Sequence, residues 1–213
     1  KKLRGVVKML ITLNIHEQLK AKEIYFGVWK PLYNKFEDKQ KRHGIYFYSY
    51  GDSKIPFYIG KCTAESYNIL GRVWQELDDY KNGRYWLCRQ PEKYKDLTCF
   101  KDNYSKENYF KPNSDIEEEE FKTVINEFLN RTVITFSYIT YGRSNSNDKA
   151  EIISSVESYM QKKLVNDINL EPNWIGDGGD RLKKQSEQFD FRIVFKYIMD
   201  KNYNELDQVL WKK

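Results

Sequence analysis

The chain is poor in cysteine. Cys62, Cys88 and Cys99 are odd in number and show no CxxC spacing. A disulfide framework and a zinc site are therefore not expected, and a reducing cytoplasm is the default setting. Long apolar runs are also missing. The best of them, "VVKMLITLNI", is interrupted by Lys8, far short of the roughly 18 apolar residues of a membrane span. No small-residue cleavage site follows it, so a signal peptide is not expected. A large excess of one charge is absent too. The formal net charge of +5 permits a polyanion partner if the cations share a face, and does not require one. No internal repeat and no long low-complexity linker divides the chain.

Hydrophobic residues make up 40% of the 213 and charged residues 31%. One elaborated domain with a real core is the fitting count. Aromatics reach 16%, led by 17 Tyr and 12 Phe. That content suits a protein that grips something planar. It suits an ordinary aromatic core equally well.

Along the chain, residues 1–40 read as an N-terminal extension, part helix. Leu3, Val6, Val7, Leu10 and Leu13 recur at helical spacing, blurred by Ile11, Thr12 and Ile15. Residues 44–50 and 55–60 read as two strands of an antiparallel hairpin across Gly51-Asp52-Ser53-Lys54. Pro56 cannot donate to a ladder, which places it at a strand start or on an edge. Residues 68–82 form a helix, with Ile69, Leu70, Val73, Trp74, Leu77 and Tyr80 inward, Asn68 as cap and Gly83 as stop. Residues 84–113 lose periodicity and interleave cations with aromatics, the pattern of a long insertion.

Ser114 and Glu117 make a capping box for the next helix. Its glutamate run complements the helix dipole, which is a simpler reading than a metal site. Residues 132–141, "TVITFSYITY", read as a strand. Residues 148–165 read as a helix with Ile152, Ile153, Val156, Tyr159, Met160 and Leu164 inward. Residues 181–213 are expected to hold one or two helices, with "FRIVFKYIMD" docked on the core.

One stretch stands out: "HGIYFYSYGDSKIPFYIGK", residues 43–61. It holds Gly44-Ile45-Tyr46 and, across the turn, Tyr58-Ile59-Gly60. An Arg follows on the next helix, in "RVWQELDDYKNG", and a Glu on a later one, in "VESYMQKKL". This set resembles the GIY-YIG nuclease family over roughly residues 43–83 and 132–174. The resemblance implies an α+β fold: a small three-stranded antiparallel sheet flanked by helices. It divides the chain into an N-terminal extension (1–42), a nuclease-like core (43–175) with the insertion at about 84–113, and a C-terminal helical extension (176–213).

The resemblance also implies a site. Its tyrosines fall on Tyr46 and Tyr58, its Arg on Arg72, its metal-binding Glu on Glu157 and its late Asn on Asn173, in "EPNW". The implied activity is divalent-metal-dependent hydrolysis of phosphodiester bonds in DNA, with Mg²⁺ or Mn²⁺ on Glu157. Tyr46 would activate water, Tyr58 would bond the nucleophile or phosphate, Arg72 would neutralise charge, and Asn173 would orient the phosphate or the tyrosines. A phenol titrates near 10, so Tyr46 needs help from a cation such as Lys61 or from metal-bound water. Lys61 also suits a phosphate contact, and His43 could supply an imidazole.

Spacing supports Glu157 independently. A helix turns about 100° per residue, so Glu157 lies at the edge of the apolar stripe and Glu151 on the solvated side. Arg72 sits one turn before Glu76, an i, i+4 pair worth only tenths of a kcal/mol on an open surface. Glu76 departs from the family, which commonly has His or Tyr there. It reads as a general base, a second metal ligand or a mark of weakened catalysis.

In the insertion, Arg84, Arg89, Lys93 and Lys95 would grip double-stranded DNA. If that segment reads bases, a site-specific restriction-type endonuclease results. If it reads shape, a repair or recombination nuclease results. A site-specific enzyme that cuts both strands implies a homodimer. A catalytically silent nucleic-acid-binding module of the same fold is the other alternative. Tyr48 and Tyr50 default to packing.

Overall fold

The computed structural model describes residues 7–27, 29–51, 56–63, 68–81, 118–142, 149–168, 189–198 and 205–207. The protein is α+β. The sheet is not the expected three-stranded one. The sheet has six strands in the order β3-β2-β4-β1-β5-β6. They are β1 (Val7–Lys20), β2 (Gly44–Tyr50), β3 (Pro56–Cys62), β4 (Thr132–Tyr141), β5 (Phe189–Tyr197) and the three-residue edge strand β6 (Glu205–Asp207). All neighbours are antiparallel except β1 and β5.

The hairpin has the expected sense. β2 pairs β3 with Tyr46 opposite Gly60 and Tyr48 opposite Tyr58. Pro56 starts β3, and β3 lies at the sheet's edge, both positions that spare the ladder its missing N–H. Residues 52–55 of the turn lie outside the described residues.

The N-terminal stretch is part helix as expected, at residues 21–26 and 29–34, but the helical spacing read at residues 3–13 is overturned over 7–13. Residues 7–20 are not an extension but an interior strand of the sheet, hydrogen-bonded to β4 on one side and β5 on the other. Met9, Ile11, Leu13 and Ile15 are all buried. That is a period of two, and two of the four, Ile11 and Ile15, are β-branched residues that favour strands. The i, i+3 spacing of Val7, Leu10 and Leu13 coincided with it. The helical reading of "FRIVFKYIMD" falls for the same reason, while residues 181–188, 199–204 and 208–213 lie outside the described residues. Phe191 and Phe195 alternate with exposed Arg192 and half-buried Lys196, and residues 189–197 form β5 alongside β1.

Helices cover both faces. On one side lie α1 (Ala21–Phe26), α2 (Trp29–Asn34), α3 (Ile69–Lys81) and α4 (Glu118–Arg131). Their buried side chains meet Tyr46, Tyr48, Tyr50, Tyr58, Ile134 and Phe136. On the other side α5 (Lys149–Ile168) sets Ile152, Ile153, Val156 and Met160 against Ile45, Phe47 and Ile59. Each strand of the hairpin thus sends alternate residues into different cores.

The start of α3 is tied down as its sequence suggests. The Asn68 carboxamide oxygen accepts from the Gly71 N–H at 3.0 Å, and its Nδ2 donates to Glu37 at 3.0 Å. Gly83, Ser114, Glu117 and the 84–113 insertion lie outside the described residues, as do the side chains of Phe121, Val124 and Leu164. Among the described residues, no helix is long and apolar enough to cross a membrane.

Because β1 is paired on both sides, it cannot be removed as a tail. A chain lacking residues 1–20 should show no cooperative unfolding transition in a circular-dichroism melt. A sharp transition in that fragment would mean that the hairpin and its helices fold without β1.

Candidate active site at the edge strand

Two glycines shape the hairpin. A Cβ on Gly44 would run into the Ser137 carbonyl of β4, and one on Gly60 would meet the Tyr46 ring at 2.5 Å. Gly60 is the floor on which that ring lies. Ser137 completes the local pairing by donating from Oγ to the Ile45 carbonyl at 2.8 Å.

Above this floor three phenols converge on one carboxylate. Glu76 of α3 is 2% exposed. Its Oε1 accepts from the Tyr46 hydroxyl at 2.5 Å and from the Tyr58 hydroxyl at 3.4 Å, and its Oε2 accepts from Tyr48 at 3.1 Å. Arg72, one turn earlier, donates Nη2 to Oε1 at 2.9 Å. The i, i+4 pair of the sequence does form. Its acidic member is buried, however, so it is not the weak surface pair of an open helix.

Charges and burial set the protonation states. Burial pushes the Glu76 carboxyl above its usual 4.5, and Arg72 and the three phenols pull it back only in part. Burial, and next the neighbouring Glu76, push the Tyr46 phenol well above 10, with Arg72 opposing. Burial, the largest single influence, would lower Arg72, but Glu76, Tyr46 and Tyr58 together outweigh it and hold the guanidinium charged. Tyr46 is therefore a poor source of phenolate. The help expected from Lys61 does not reach it. Lys61 donates its Nζ to Glu157 at 2.7 Å instead.

That second pair lies on the other face of the sheet. Within β3, Tyr58, Gly60 and Cys62 face α3, while Ile59 and Lys61 face α5. α5 is pinned to the edge strand by Gln161, whose Nε2 donates to the Ile59 carbonyl at 2.9 Å. Glu157 stands one turn before Gln161 and so meets Lys61. It sits at the boundary of the buried stripe, with Glu151 exposed on the far side.

The two halves join around the edge strand in a cavity of about 250 Å³, lined by Tyr46, Tyr58, Lys61, Cys62, Thr63, Arg72, Glu76 and Glu157. Tyr46, Tyr58, Arg72, Glu157, Lys61 and Glu76 are thus brought together as the sequence indicates. His43 is half-buried ahead of β2 and does not line the cavity. Asn173, Arg84, Arg89, Lys93 and Lys95 lie outside the described residues. Sequence reasoning assigned Tyr48 to packing and passed over Gln161. The two-residue alternation from Tyr46 points to the first, and the i, i+4 step from Glu157 to the second.

Among the described residues, no group of three His, Cys, Asp or Glu side chains is placed to hold a metal. Glu157 offers one hard carboxylate. That donor fits Mg²⁺, which commonly binds through one or two carboxylates, several waters and substrate phosphate.

Comparisons with family models, curated proteins and solved structures found no match.

Two outcomes follow from this geometry. Gly60→Ala should force the Tyr46 ring off its floor and cost about 1–3 kcal/mol, read as a lower urea midpoint. A midpoint equal to wild type would mean the ring has room to move. The second concerns pH. Glu76 is raised in the folded chain, so folded protein holds its proton more tightly than unfolded chain does. Its contribution to stability is present below about 4.5 and is lost as pH rises through its raised value. The stability difference between wild type and Glu76→Gln should therefore move against wild type from pH 4.5 to pH 8. Urea unfolding at both pH values measures it, and a flat difference would contradict the raised carboxyl.

Proposed function

We propose that the protein is a divalent-metal-dependent endonuclease that hydrolyses phosphodiester bonds in double-stranded DNA. One observation carries the reading. The two motif tyrosines, Arg72, Lys61 and Glu157 come from four elements and two faces of the sheet, yet they line one cavity. An ordinary sticky hairpin gives no reason for that convergence.

The roles follow from chemistry. Arg72, partly exposed at the cavity, binds the scissile phosphate and offsets charge as it grows on the phosphoryl oxygens. Tyr58 makes the longest of the three phenol contacts to Glu76 and turns its hydroxyl to the phosphate or the attacking water. Glu157 would hold Mg²⁺ or Mn²⁺, which would polarise the phosphate when bound. Lys61 passes from Glu157 to a phosphate oxygen. The resting cavity holds two cations, Arg72 and Lys61, against two carboxylates, Glu76 and Glu157. A phosphodiester alone would tip that balance to negative, and a divalent cation more than offsets it, leaving one positive charge for the charge that grows in the transition state.

A site-specific, restriction-type enzyme acting as a homodimer is the finer form of this proposal. A repair or recombination nuclease is the alternative. A catalytically silent nucleic-acid-binding module has one observation in its favour: Glu76 already engages the guanidinium that a phosphate would need.

Purified protein should nick or linearise plasmid DNA with Mg²⁺ or Mn²⁺. Tyr46→Phe, Arg72→Ala and Glu157→Gln should each slow cleavage by roughly 10²-fold or more while retaining a melting transition. Retained binding without cleavage in any divalent metal would select the silent module. Full activity in Glu157→Gln would remove that carboxylate from the site.

A further inference from the structure

The attacking water must lose a proton, and Tyr46, a neutral phenol, can take it up only by passing its own proton on. We infer that Glu76 is the terminal proton acceptor of the reaction, working through Tyr46. This inference rests on the nuclease reading.

The geometry gives the route. Tyr46 directs its own proton to Glu76 Oε1 at 2.5 Å, the distance of a strong, charge-assisted O–H···O bond. Its lone pairs are left for Arg72, which also hydrogen-bonds it, and for a water in the cavity that Tyr46 lines. Three phenols and a guanidinium donate to the Glu76 carboxyl, which favours its ionised, acceptor-only form. It has room for a proton once one of those donors leaves.

The step balances. A water O–H proton passes to Tyr46 Oη as the Tyr46 proton passes to Glu76 Oε1. The water oxygen forms its bond to phosphorus. The opposite P–O bond breaks, its electron pair stays on the leaving oxygen, and that oxygen takes a proton from solvent. Glu76 later returns its proton to water by the reverse relay. Tyr46 is neutral at the beginning and end, so its raised pKa is no barrier.

Substrate binding readies the acceptor. A phosphate on Arg72 draws the guanidinium away from Glu76 and adds a negative charge to the cavity. Both changes favour a proton on the carboxylate. The groups facing Glu76 are Tyr46 and Tyr48 from β2, Tyr58 and Cys62 from β3, and Arg72 from its own helix, with the Lys61–Glu157 pair across the cavity. Of the phenols, Tyr48 touches Glu76 without lining the cavity.

The test is the pH dependence of single-turnover plasmid cleavage at saturating Mg²⁺. Wild type should lose rate at acid pH as Glu76 protonates. Glu76→Gln should cut 10²- to 10⁴-fold from the plateau rate, the usual range for a lost general base, and should lack that acid limb. Tyr48→Phe removes a hydrogen bond that holds the carboxyl down, so it should cleave with its acid limb moved to higher pH. Should Glu76→Gln fail to fold, as judged by its melt, the Tyr48→Phe limb decides alone. Three results overturn the inference. Wild type inert with every divalent metal removes the nuclease reading and this one with it. Active wild type with Glu76→Gln cleaving at a similar rate removes this inference only. A slow Glu76→Gln that keeps the limb, or an unmoved limb in Tyr48→Phe, makes Glu76 a positioning residue for Arg72.

Discussion

The buried carboxylate of Glu76 is the constraint on which the site depends. Taking an ion out of water costs several kcal/mol even after relaxation. Hydrogen bonds to a charged group return about 1.5–3 kcal/mol each, so the position is tenable only with several good donors. Tyr46, Tyr48, Tyr58 and Arg72 are those donors. Each of them then constrains something else. Tyr46 and Tyr48 must stand two apart on one strand face. Tyr58 must lie opposite Tyr48. Gly60 must be bare for Tyr46 to lie flat. α3 must begin at Asn68, in the phase that brings Arg72 and Glu76 onto one side.

The edge position of β3 does the rest. An interior strand is walled by neighbours on both sides, so its two faces cannot share a cavity. At the edge, side chains of opposite pleat can meet around the strand. Tyr58 and Cys62 from one face and Lys61 from the other line the same space. Gln161 holds α5 close enough for Glu157 to reach it. Pro56 stands at the beginning of the edge strand β3, and proline on an edge strand discourages pairing with another chain.

Much of this was legible because it is local. The hairpin, α3, β4 and α5 each carry their periodicity within a dozen or so residues, and the motif tyrosines and Arg72 ride on those elements. β1 and β5 were misread because what makes them strands is non-local. β1 gains its order from β4 and β5, more than a hundred residues away, and in isolation Leu10 and Leu13 fit a helix as well as a strand. Glu76 was located correctly, but burial changed its meaning. A surface i, i+4 pair and a buried acceptor of three phenols have the same spacing. Lys61 was placed beside the site, and its partner Glu157 lies 96 residues on, a contact no local pattern encodes.

A carboxylate where the family resemblance leads one to expect His or Tyr would break a local rule without compensation if its surroundings were unchanged. They are not. A neutral imidazole offers one acceptor atom, whereas a carboxylate offers two oxygens. Oε1 takes Tyr46, Tyr58 and Arg72, and Oε2 takes Tyr48, the phenol outside the resemblance. The extra acceptor and the extra donor belong together. The negative charge also keeps the Arg72 guanidinium beside the cavity with its charge intact, held by a partner that a proton can neutralise. An arginine held this way can turn from one oxyanion to another while staying at the cavity.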